Sequence, residues 1–362
     1  MNVETKVLRQ GHEISRVIKG GWQLAGDHGK VNRKTAIADM EAFLEAGITT
    51  FDCADIYIGV ESMIGDFIGE LRSERGEEVV DRVRIHTKLV PDLARLADIG
   101  SNEIEAIVDR SLMRLKVDCL DLVQFFWWDL ELGNAVASLD VLKRMQEKGK
   151  IGNLGTTNWD AADMDRFVQA GFDLVSAQVQ YSVLDRRPGH TLADWAQANN
   201  LQLLCYGTLA GGFLTKAWLG KPDPGFSFSN RSLIKYRLII QEFGSWQQFQ
   251  NLLLSLQSIG DKYDVSISSV ATRYVLEQPQ VAAAIVGARY ARHLQDTLEV
   301  FTFAFDDEDR LALAVILDQA SGPLGDVFAL ESDRSGQHGR IMKYNLNHRP
   351  NTPALAEDIS HG

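Results

Sequence analysis

The sequence of 362 residues has little cysteine and no long hydrophobic run. Its three cysteines, Cys53, Cys119 and Cys205, lie far apart and form no Cys-x-x-Cys pair, which argues against a disulfide framework and a zinc site. No stretch approaches the ~18 apolar residues of a membrane span. The opening segment also lacks the apolar core of a signal peptide. We therefore expect a cytoplasmic protein with no membrane contact and no bound metal.

Basic charge is also scarce. Lysine and arginine number 37 against 49 aspartate and glutamate, which gives a net charge of −12. This balance argues against a general nucleic-acid binder, so the expected partners are small molecules, and the oligomeric state stays open. Hydrophobic residues make up 45% of the chain, an ordinary share for a globular protein, which argues against disorder.

Short apolar runs alternate eight times with segments of helical periodicity. We predict strands at 15–24, 49–55, 83–90, 120–128, 151–159, 173–182, 201–209 and 281–289. We predict helices at 35–47, 62–76, 102–115, 134–148, 160–171, 191–200, from about 233 to 278, and 290–301. Asn102 is the expected N-cap of the third helix.

This alternation favours a (β/α)8 TIM barrel, since near-continuous apolar strands are typical of parallel strands buried on both faces. An open doubly wound sheet is the alternative, but the first strand is followed by "GGWQLAGDHG", which lacks its Gly-x-Gly-x-x-Gly spacing. We predict one barrel domain over residues 1–320, with an N-terminal hairpin that turns at Gly11. Residues 321–362 are predicted to form a C-terminal extension that packs on the barrel and has a mobile end.

Polar residues stand where the predicted strands end, the face on which TIM barrels carry their active sites. Asp52 ends the second strand, Tyr57 follows it, and Lys88 ends the third. A lysine in an apolar strand needs a partner, and Asp52 is the natural one. The two could form only a core ion pair, but a phenol beside an ammonium becomes a better proton donor. The set therefore suits carbonyl reduction, in which hydride reaches carbon and a proton reaches oxygen.

Six motifs together resemble the aldo/keto reductase family, in the right order over about residues 15–300. They read "FDCADIY" (51–57), "HTK" (86–88), "GTTN" (155–158), "QVQYSVLDRR" (178–187), "CYGTLAGGFL" (205–214) and "IVGAR" (285–289). The resemblance implies NADP(H)-dependent interconversion of a carbonyl and an alcohol without a metal, with NAD(H) as the alternative cofactor. It also implies that Asp52, Tyr57 and Lys88 are three members of the family's catalytic tetrad.

The resemblance further implies a set of residues that bind the cofactor. Thr157, Asn158 and Gln178 match those at the nicotinamide carboxamide, and Tyr206 matches the ring that stacks on the nicotinamide. Gly21 and Trp22 lie in the first loop, Gly207 and Leu209 match backbone contacts to the pyrophosphate, and Arg289 matches a basic residue at the adenosine 2′-phosphate. His293, Asp296 and Thr297 are expected near the adenine, and Asp52 and Gly287 complete the cofactor set. Arg289 is the reason that NADP(H) is favoured over NAD(H).

The chain departs from the family at Phe126. Similar sequences read "QFHWW" there, whereas this one reads "QFFWW" at 124–128. The histidine of the family donates a hydrogen bond to the substrate oxygen, worth roughly 1.5–3 kcal/mol or about 10–150-fold in rate. His86 does not replace it, because it lies one layer deeper on the same barrel face and reads as a packed strand histidine.

Three interpretations follow from this departure. The first is a reductase with an altered substrate range or slow turnover, the second an NADP(H)-binding regulatory protein with little turnover, and the third a dehydrogenase that runs mainly in the oxidative direction. A lyase or isomerase on the same scaffold is a separate alternative, since fold does not dictate function. The predicted substrate pocket contains Trp22, Tyr57, Phe126, Trp127 and Trp128. Phe125 should face the helices instead, and the resemblance implies that the irregular segment 210–232 folds over the cofactor.

Overall fold

Ten short strands form two sheets in the computed structural model, which describes residues 3–25, 29 and 31–347. The first two pair as an antiparallel hairpin, and the other eight are parallel and close into a barrel in which β10 adjoins β3. The strands are β1 (Thr5–Val7), β2 (Glu13–Ser15), β3 (Val17–Gly20), β4 (Thr50–Asp52), β5 (Arg84–Leu89), β6 (Leu120–Phe125), β7 (Ile151–Thr157), β8 (Leu174–Gln180), β9 (Gln202–Tyr206) and β10 (Val281–Val286). The predicted TIM barrel and N-terminal hairpin are confirmed, and the open sheet is wrong.

Helices surround the barrel. They are α1 (Arg33–Glu45), α2 (Val60–Arg75), α3 (Glu77–Val80), α4 (Ser101–Leu115), α5 (Ala135–Glu147), α6 (Ala161–Gln169), α7 (Thr191–Ala198), α8 (Arg231–Phe243), α9 (Trp246–Tyr263), α10 (Ile267–Leu276), α11 (Leu294–Glu299), α12 (Asp307–Leu317), α13 (Ala329–Ser332) and α14 (Gln337–Arg340). Among the helices that the structure describes, none has the length and apolar character needed to span a lipid bilayer.

Several predicted boundaries differ from the structure. The expected cap Asn102 lies inside α4, and the N-cap is Gly100, which offers no side chain for capping. β6 ends at Phe125, so the next three aromatic residues belong to the loop after the strand. A 3₁₀ turn at Ala291–His293 precedes α11, where one continuous helix was predicted.

Residues alternate between two environments along each barrel strand, as the pleat requires. In β6, Leu122 belongs to the cluster inside the barrel, whereas Val123 and Phe125 belong to the larger core between barrel and helices. Gln124 therefore faces the barrel interior with Leu122. This alternation decides which side chains reach the site above the strands.

The hairpin closes the amino-terminal end of the barrel. Leu8 and Ile14 pack into the interior cluster with Ile18 and Leu122. His12 also reaches inward, where its Nε2 lies 2.9 Å from that of His86. Side chains of the hairpin therefore fill this end of the barrel interior.

The C-terminal segment crosses the opposite rim. The backbone N–H of Leu93 donates to the carbonyl of Tyr344 at 2.8 Å, and those of Leu346 and Asn347 donate to Oδ1 of Asp92 at 2.8 and 2.9 Å. These contacts hold the described part of the segment against the loop after β5. The expected mobile end, 348–362, lies outside the described residues, and the division into a barrel domain and an extension stays a prediction.

Candidate active site

Asp52 and Lys88 form a buried ion pair at the rim of the barrel. Lys88 Nζ lies 2.5 Å from Oδ1 of Asp52, and both side chains are about 5% exposed or less. Lys88 also donates to the carbonyl of Cys53 at 2.9 Å. β4 and β5 are neighbours, so their ends bring the pair together. The pairing predicted from the sequence is confirmed.

Two glutamines complete the shell around the carboxylate. Oδ2 of Asp52 accepts hydrogen bonds from Nε2 of Gln178 at 2.6 Å and from Nε2 of Gln124 at 3.0 Å, and Gln178 also donates to Oε1 of Gln124 at 2.8 Å. Asp52 thus receives donors from three strands. Gln124 was not among the residues predicted for the site, although an amide two residues before Phe126 on a buried strand indicates a side chain that faces the barrel interior.

Tyr57 lies on the solvent side of this pair. Lys88 Nζ is 5.2 Å from the centre of the Tyr57 ring, and Trp22 covers another side with ring centres 5.0 Å apart. The indole N–H of Trp22 donates to Oγ of Ser232 at 3.1 Å, which ties it to the start of α8. The tyrosine is therefore held between the ammonium and an indole at the mouth of the barrel.

The two titrating groups influence each other in opposite directions. Burial raises the pKa of Tyr57, while the charge of Lys88 and a hydrogen bond to it act to lower it. Lys88 lowers the pKa as expected, but the net pKa is above the ordinary value because burial of the phenol outweighs the ammonium. Burial would lower the pKa of Lys88, but Asp52 and Tyr57 raise it above its usual value. At neutral pH the site therefore contains a neutral phenol beside a charged ammonium.

Phe126 lies in an aromatic cluster beside the end of β6. Its ring packs against Trp128 and Phe328, with centres 4.7 and 5.6 Å apart, and only 3% of the residue is exposed. Tyr344 in turn packs on Trp128 at 5.0 Å. The wall of the mouth around Phe126 is therefore aromatic, and two of its members, Phe328 and Tyr344, come from the C-terminal segment.

The arrangement of a carboxylate, an ammonium and a phenol on neighbouring strand ends agrees with a comparison of the whole sequence. The profile of the aldo/keto reductase family matches residues 16–317. The chain belongs to the aldo/keto reductase family. The resemblance inferred from the six motifs is therefore confirmed.

Two curated relatives share between about two and three tenths of the sequence. An aldo-keto reductase of Bacillus subtilis, YhdN, is 29% identical over 332 residues, covering 90% of this chain and 96% of that protein. An NADH-specific methylglyoxal reductase of Escherichia coli is 22% identical over 316 residues, covering 82% of this chain and 92% of that protein.

Solved aldo/keto reductases share the fold. The glycerol dehydrogenase AKR11B4 from Gluconobacter oxydans superposes with a TM-score of 0.72 at 24% identity, over 90% of this chain and 98% of that one. An aldo/keto reductase from Klebsiella pneumoniae, in complex with NADP and acetate, superposes with a TM-score of 0.67 at 20% identity, over 90% of this chain and all of that one.

The expected nicotinamide residues of this aldo/keto reductase lie together at the ends of β7, β8 and β9. Tyr206 donates its hydroxyl proton to Oδ1 of Asn158 at 2.8 Å. Asn158 has a φ of 60°, a backbone conformation that asparagine tolerates better than most residues. Thr157 is paired with Gln178 in the barrel register. These four residues thus form one continuous patch next to Asp52.

Close backbone contacts shape the glycine positions. A side chain at Gly21 would meet a methyl group of Val60 at 2.7 Å and the carbonyl of Asp52 at 2.8 Å. Gly207 has a φ of 75° and lies against the hydroxyl of Tyr236. Leu209 follows it and accepts a hydrogen bond from the backbone N–H of Gly212 at 2.9 Å. Glycine is required at both positions because a side chain would clash at the first and strain the backbone at the second.

The expected adenosine residues lie farther out, after β10. Gly287 packs against the side chain of Gln23, and Arg289 donates to the carbonyl of Gly29 at 3.3 Å. The guanidinium of Arg289 also lies 5.2 Å from the ring centre of Tyr290. This segment forms a separate rim of the mouth.

Three residues predicted near the adenine lie in and before α11. His293 ends the 3₁₀ turn, and its carbonyl accepts the hydroxyl proton of Thr297 at 2.8 Å. The hydroxyl of Thr297 is thus used within the helix. Asp296 is exposed in the first turn of α11.

Trp127 differs from the predicted pocket. Its ring lies 5.7 Å from that of Phe125, and its indole N–H donates to the carbonyl of Leu132 at 2.8 Å. The residue is only 2% exposed. Phe125 and Trp127 pack on each other, and Phe125 also packs on Trp159 on the helix side, as was expected for Phe125, whereas Phe126 packs on Trp128 and Phe328. We therefore leave Trp127 out of the pocket.

A buried ionic cluster that sequence reasoning missed fixes the C-terminal segment. Arg187 makes two hydrogen bonds to Asp185, at 2.9 and 2.7 Å, and two to Glu331, at 3.1 and 3.2 Å. All three side chains are about 2% exposed or less. Gln180 donates to the same Asp185 at 2.6 Å. The family motif contained two of these charges, but no pattern placed Glu331, which lies 144 residues from Arg187.

Proposed function

We propose that this protein is an NADP(H)-dependent oxidoreductase that interconverts a carbonyl and an alcohol, with Tyr57 as the group that exchanges the proton. The observation that carries the proposal is the buried Asp52–Lys88 pair with Lys88 Nζ 5.2 Å from the ring centre of Tyr57. A carboxylate that fixes an ammonium beside a phenol is the arrangement that proton transfer to a carbonyl oxygen requires.

Each member of the set has one task. Tyr57 is protonated at neutral pH, since a phenol ordinarily titrates near pH ~10 and burial raises its pKa further, so it can donate to the oxygen of a carbonyl as that oxygen gains charge. Lys88 stabilises the phenolate that remains. Asp52 holds the ammonium in place, and Gln124 and Gln178 hold Asp52. In the reverse direction the phenolate removes the proton of an alcohol.

The residues around the mouth fit a nicotinamide cofactor, which supplies or accepts the hydride when it is bound. Oε1 of Gln178 and Nδ2 of Asn158 have no hydrogen bond within the residues that the structure describes, whereas the opposite ends of both amides are engaged. These two atoms would bind the carboxamide group of the nicotinamide, and the ring of Tyr206 would stack on the nicotinamide ring.

NADP(H) is the proposed cofactor rather than NAD(H), because Arg289 stands on the outer rim, where a 2′-phosphate would meet a guanidinium. The Klebsiella pneumoniae structure contains NADP, whereas the Escherichia coli relative is named an NADH-specific reductase, so both cofactors occur among similar proteins. The cytoplasm is the proposed location, in keeping with three free cysteines.

The aromatic wall supports a specific class of substrate. Phe126 cannot donate a hydrogen bond, and it packs on Trp128 and Phe328. An apolar or aromatic carbonyl compound fits this wall better than a small polar sugar, because a hydroxyl group buried against it would lose its hydrogen bonds to water. We therefore propose that Phe126 alters the substrate range and that the C-terminal extension forms part of the pocket.

Phe126 also favours a second candidate function, an NADP(H)-binding regulatory protein with little turnover. Without the histidine donor, one source of stabilisation for the developing charge is lost. The loss of a single hydrogen bond is worth about 10–150-fold in rate, which slows an enzyme without abolishing its activity. For this reason we propose catalysis first.

The experiment mixes purified protein with NADPH or NADH and a panel of carbonyl compounds that ranges from aromatic aldehydes to open-chain sugars. Turnover is followed by the absorbance of the reduced nicotinamide. We expect aromatic and aliphatic aldehydes to be reduced and sugars to be poor substrates. Binding of NADPH without turnover of any carbonyl or alcohol would favour the regulatory function, and failure to bind either cofactor would contradict both.

A further inference from the structure

Lys19 is a buried lysine that has no part in the proposed proton transfer. It lies on β3, only 2% of it is exposed, and its side chain points toward α1 rather than into the barrel. Nζ lies 4.8 Å from the ring centre of Phe43 and donates to the carbonyl of Ala288 at 3.0 Å. Within the described part of the chain, that is the one hydrogen bond of this ammonium.

An apolar side chain would fill this layer at lower cost. Burial lowers the pKa of Lys19 to about 8, and the nearby carboxylate of Asp39 acts in the opposite direction. The ammonium is still charged at neutral pH, so the fold retains a buried charge where leucine or methionine would pack. The hydrogen bond to the carbonyl of Ala288 is the contact that lysine makes here and that leucine or methionine could not make.

The segment that Lys19 contacts is fixed at a second point. Oδ1 of Asp39, on α1, accepts a hydrogen bond from the backbone N–H of Ala291 at 2.9 Å. The two contacts therefore lie on either side of Arg289, one residue before it and two residues after it. Both come from the layer beneath the segment, which leaves the side chain of Arg289 on the rim.

We propose that Lys19 is a positioning residue that fixes the backbone at Ala288 and so directs Arg289 toward the 2′-phosphate of NADP(H). In this way Lys19 sets the preference for NADP(H) over NAD(H). The inference rests on the proposed function, in which Arg289 meets that phosphate.

The test compares Lys19→Met, which keeps a long apolar side chain, with Phe43→Leu, which changes the same layer but leaves the hydrogen bond to Ala288. Steady-state kinetics are measured with NADPH and with NADH. For Lys19→Met we expect the KM for NADPH to rise by about tenfold, the low end of what a hydrogen bond from a charged group is worth. We expect kcat and the KM for NADH to change by less than about twofold. Phe43→Leu should keep the preference of the native protein.

The second point of attachment provides an independent test if Lys19→Met does not fold. Asp39→Ala removes the acceptor for Ala291, whereas Asp39→Asn keeps one. We expect Asp39→Ala to lose the preference for NADPH over NADH and Asp39→Asn to retain it. Direct titration of each variant with NADPH and NADH, followed by tryptophan fluorescence, measures the same preference without turnover.

Three results would overturn the inference. They are an equal loss of affinity for both cofactors in Lys19→Met, an unchanged preference in a folded Lys19→Met or Asp39→Ala, and a native protein that binds NADPH no better than NADH. Failure of the proposed function looks different, because it shows as no turnover of any carbonyl or alcohol, or as no binding of either cofactor by the native protein. If the native protein reduces carbonyls with NADPH and Lys19→Met keeps the preference for NADPH, the inference about Lys19 fails and the proposed function stands.

Discussion

Phe126 and Phe328 meet edge to face, with ring centres 5.6 Å apart and planes at 82°. One follows β6 and the other lies just before α13, about 200 residues later in the chain. Phe328 has a φ of 65°, an uncommon conformation for a bulky residue, which persists only where the surroundings fix it. Its ring packs on Phe126, its carbonyl accepts a hydrogen bond from Ser332 at 2.9 Å, and Glu331, three residues on, is bound by Arg187. The C-terminal segment thus completes the wall of the proposed pocket.

Phe126→His restores the residue found in similar sequences and is the sharpest test of that wall. We expect no gain in kcat of about tenfold or more, because an imidazole packed between Trp128 and Phe328 lacks a polar partner. We expect the free energy of unfolding to fall by about 1–3 kcal/mol, the cost of an unsatisfied buried polar group. Steady-state kinetics and urea unfolding measure the two quantities.

Phe126→Leu is the matched control, since it keeps the apolar surface and removes the ring. It should widen the substrate range without adding a donor. An increase of about 10–150-fold in kcat for Phe126→His alone would show that the site lacks only a hydrogen bond, and would favour the regulatory function for the native protein.

The sequence predicted those parts of the site that depend on strand order. Asp52 and Lys88 end adjacent parallel strands, so their pairing follows from the barrel alone. The aromatic wall could not be predicted in the same way. Trp127 was placed in the pocket together with its neighbours, although alternation from Phe125 along the predicted strand would have put it on the helix side, where its indole N–H donates to Leu132.

Contacts between segments far apart in the chain could not be predicted from the sequence either. Nothing in the composition of 321–347 indicates that Glu331 would meet Arg187 or that Phe328 would meet Phe126. Such pairs depend on how a segment without a repeating pattern folds back on the barrel. Lys19 was missed for a simpler reason, since it was treated as part of an apolar strand and its partner is a backbone carbonyl.

Glu331→Gln tests the attachment of the C-terminal segment. The substitution removes the charge that Arg187 binds, and the loss of hydrogen bonds to a charged group is worth about 1.5–3 kcal/mol. We expect faster backbone hydrogen exchange in 326–347 and a higher KM for the carbonyl substrate, with unchanged affinity for NADPH. Glu308→Gln, at an exposed position of α12, is the control. Equal exchange in both variants would contradict the role of the ionic cluster.

Asp52→Asn should reduce stability as well as activity. The amide group of asparagine would set its own donors against Lys88, Gln124 and Gln178, and a buried ammonium would lose its counter-charge. Breaking a buried pair costs about 3–5 kcal/mol. Asp66→Asn, which breaks the more exposed pairs to Arg33 and Lys116, should cost less than about 1 kcal/mol. Similar losses for both variants in urea unfolding would argue against a tightly held catalytic pair.

The histidine pair at the closed end of the barrel predicts a loss of stability in acid. Burial lowers the pKa of His12 to about 4, and burial, His12, Lys88 and Arg84 together lower that of His86 well below its usual value. The unfolded chain therefore takes up protons more readily, and the free energy of unfolding falls as pH drops below about 6.5.

A double variant, His12→Leu with His86→Leu, measures this effect. It should reduce the slope of unfolding free energy against pH, between about pH 6.5 and 5, by up to about 1.4 kcal/mol per pH unit for each histidine removed. The exposed His190→Gln is the control and should leave the slope unchanged. An unchanged slope in the double variant would mean that both imidazoles protonate freely in the folded protein.

Proton donation by Tyr57 beside Lys88 is the central claim, and single-turnover hydride transfer from bound NADPH to an aromatic aldehyde measures it most directly. In Tyr57→Phe, which removes only the hydroxyl group, we expect the rate to fall by about 10²–10⁴-fold while the Kd for NADPH changes by less than about twofold. A rate in Tyr57→Phe equal to that of the native protein would contradict the account.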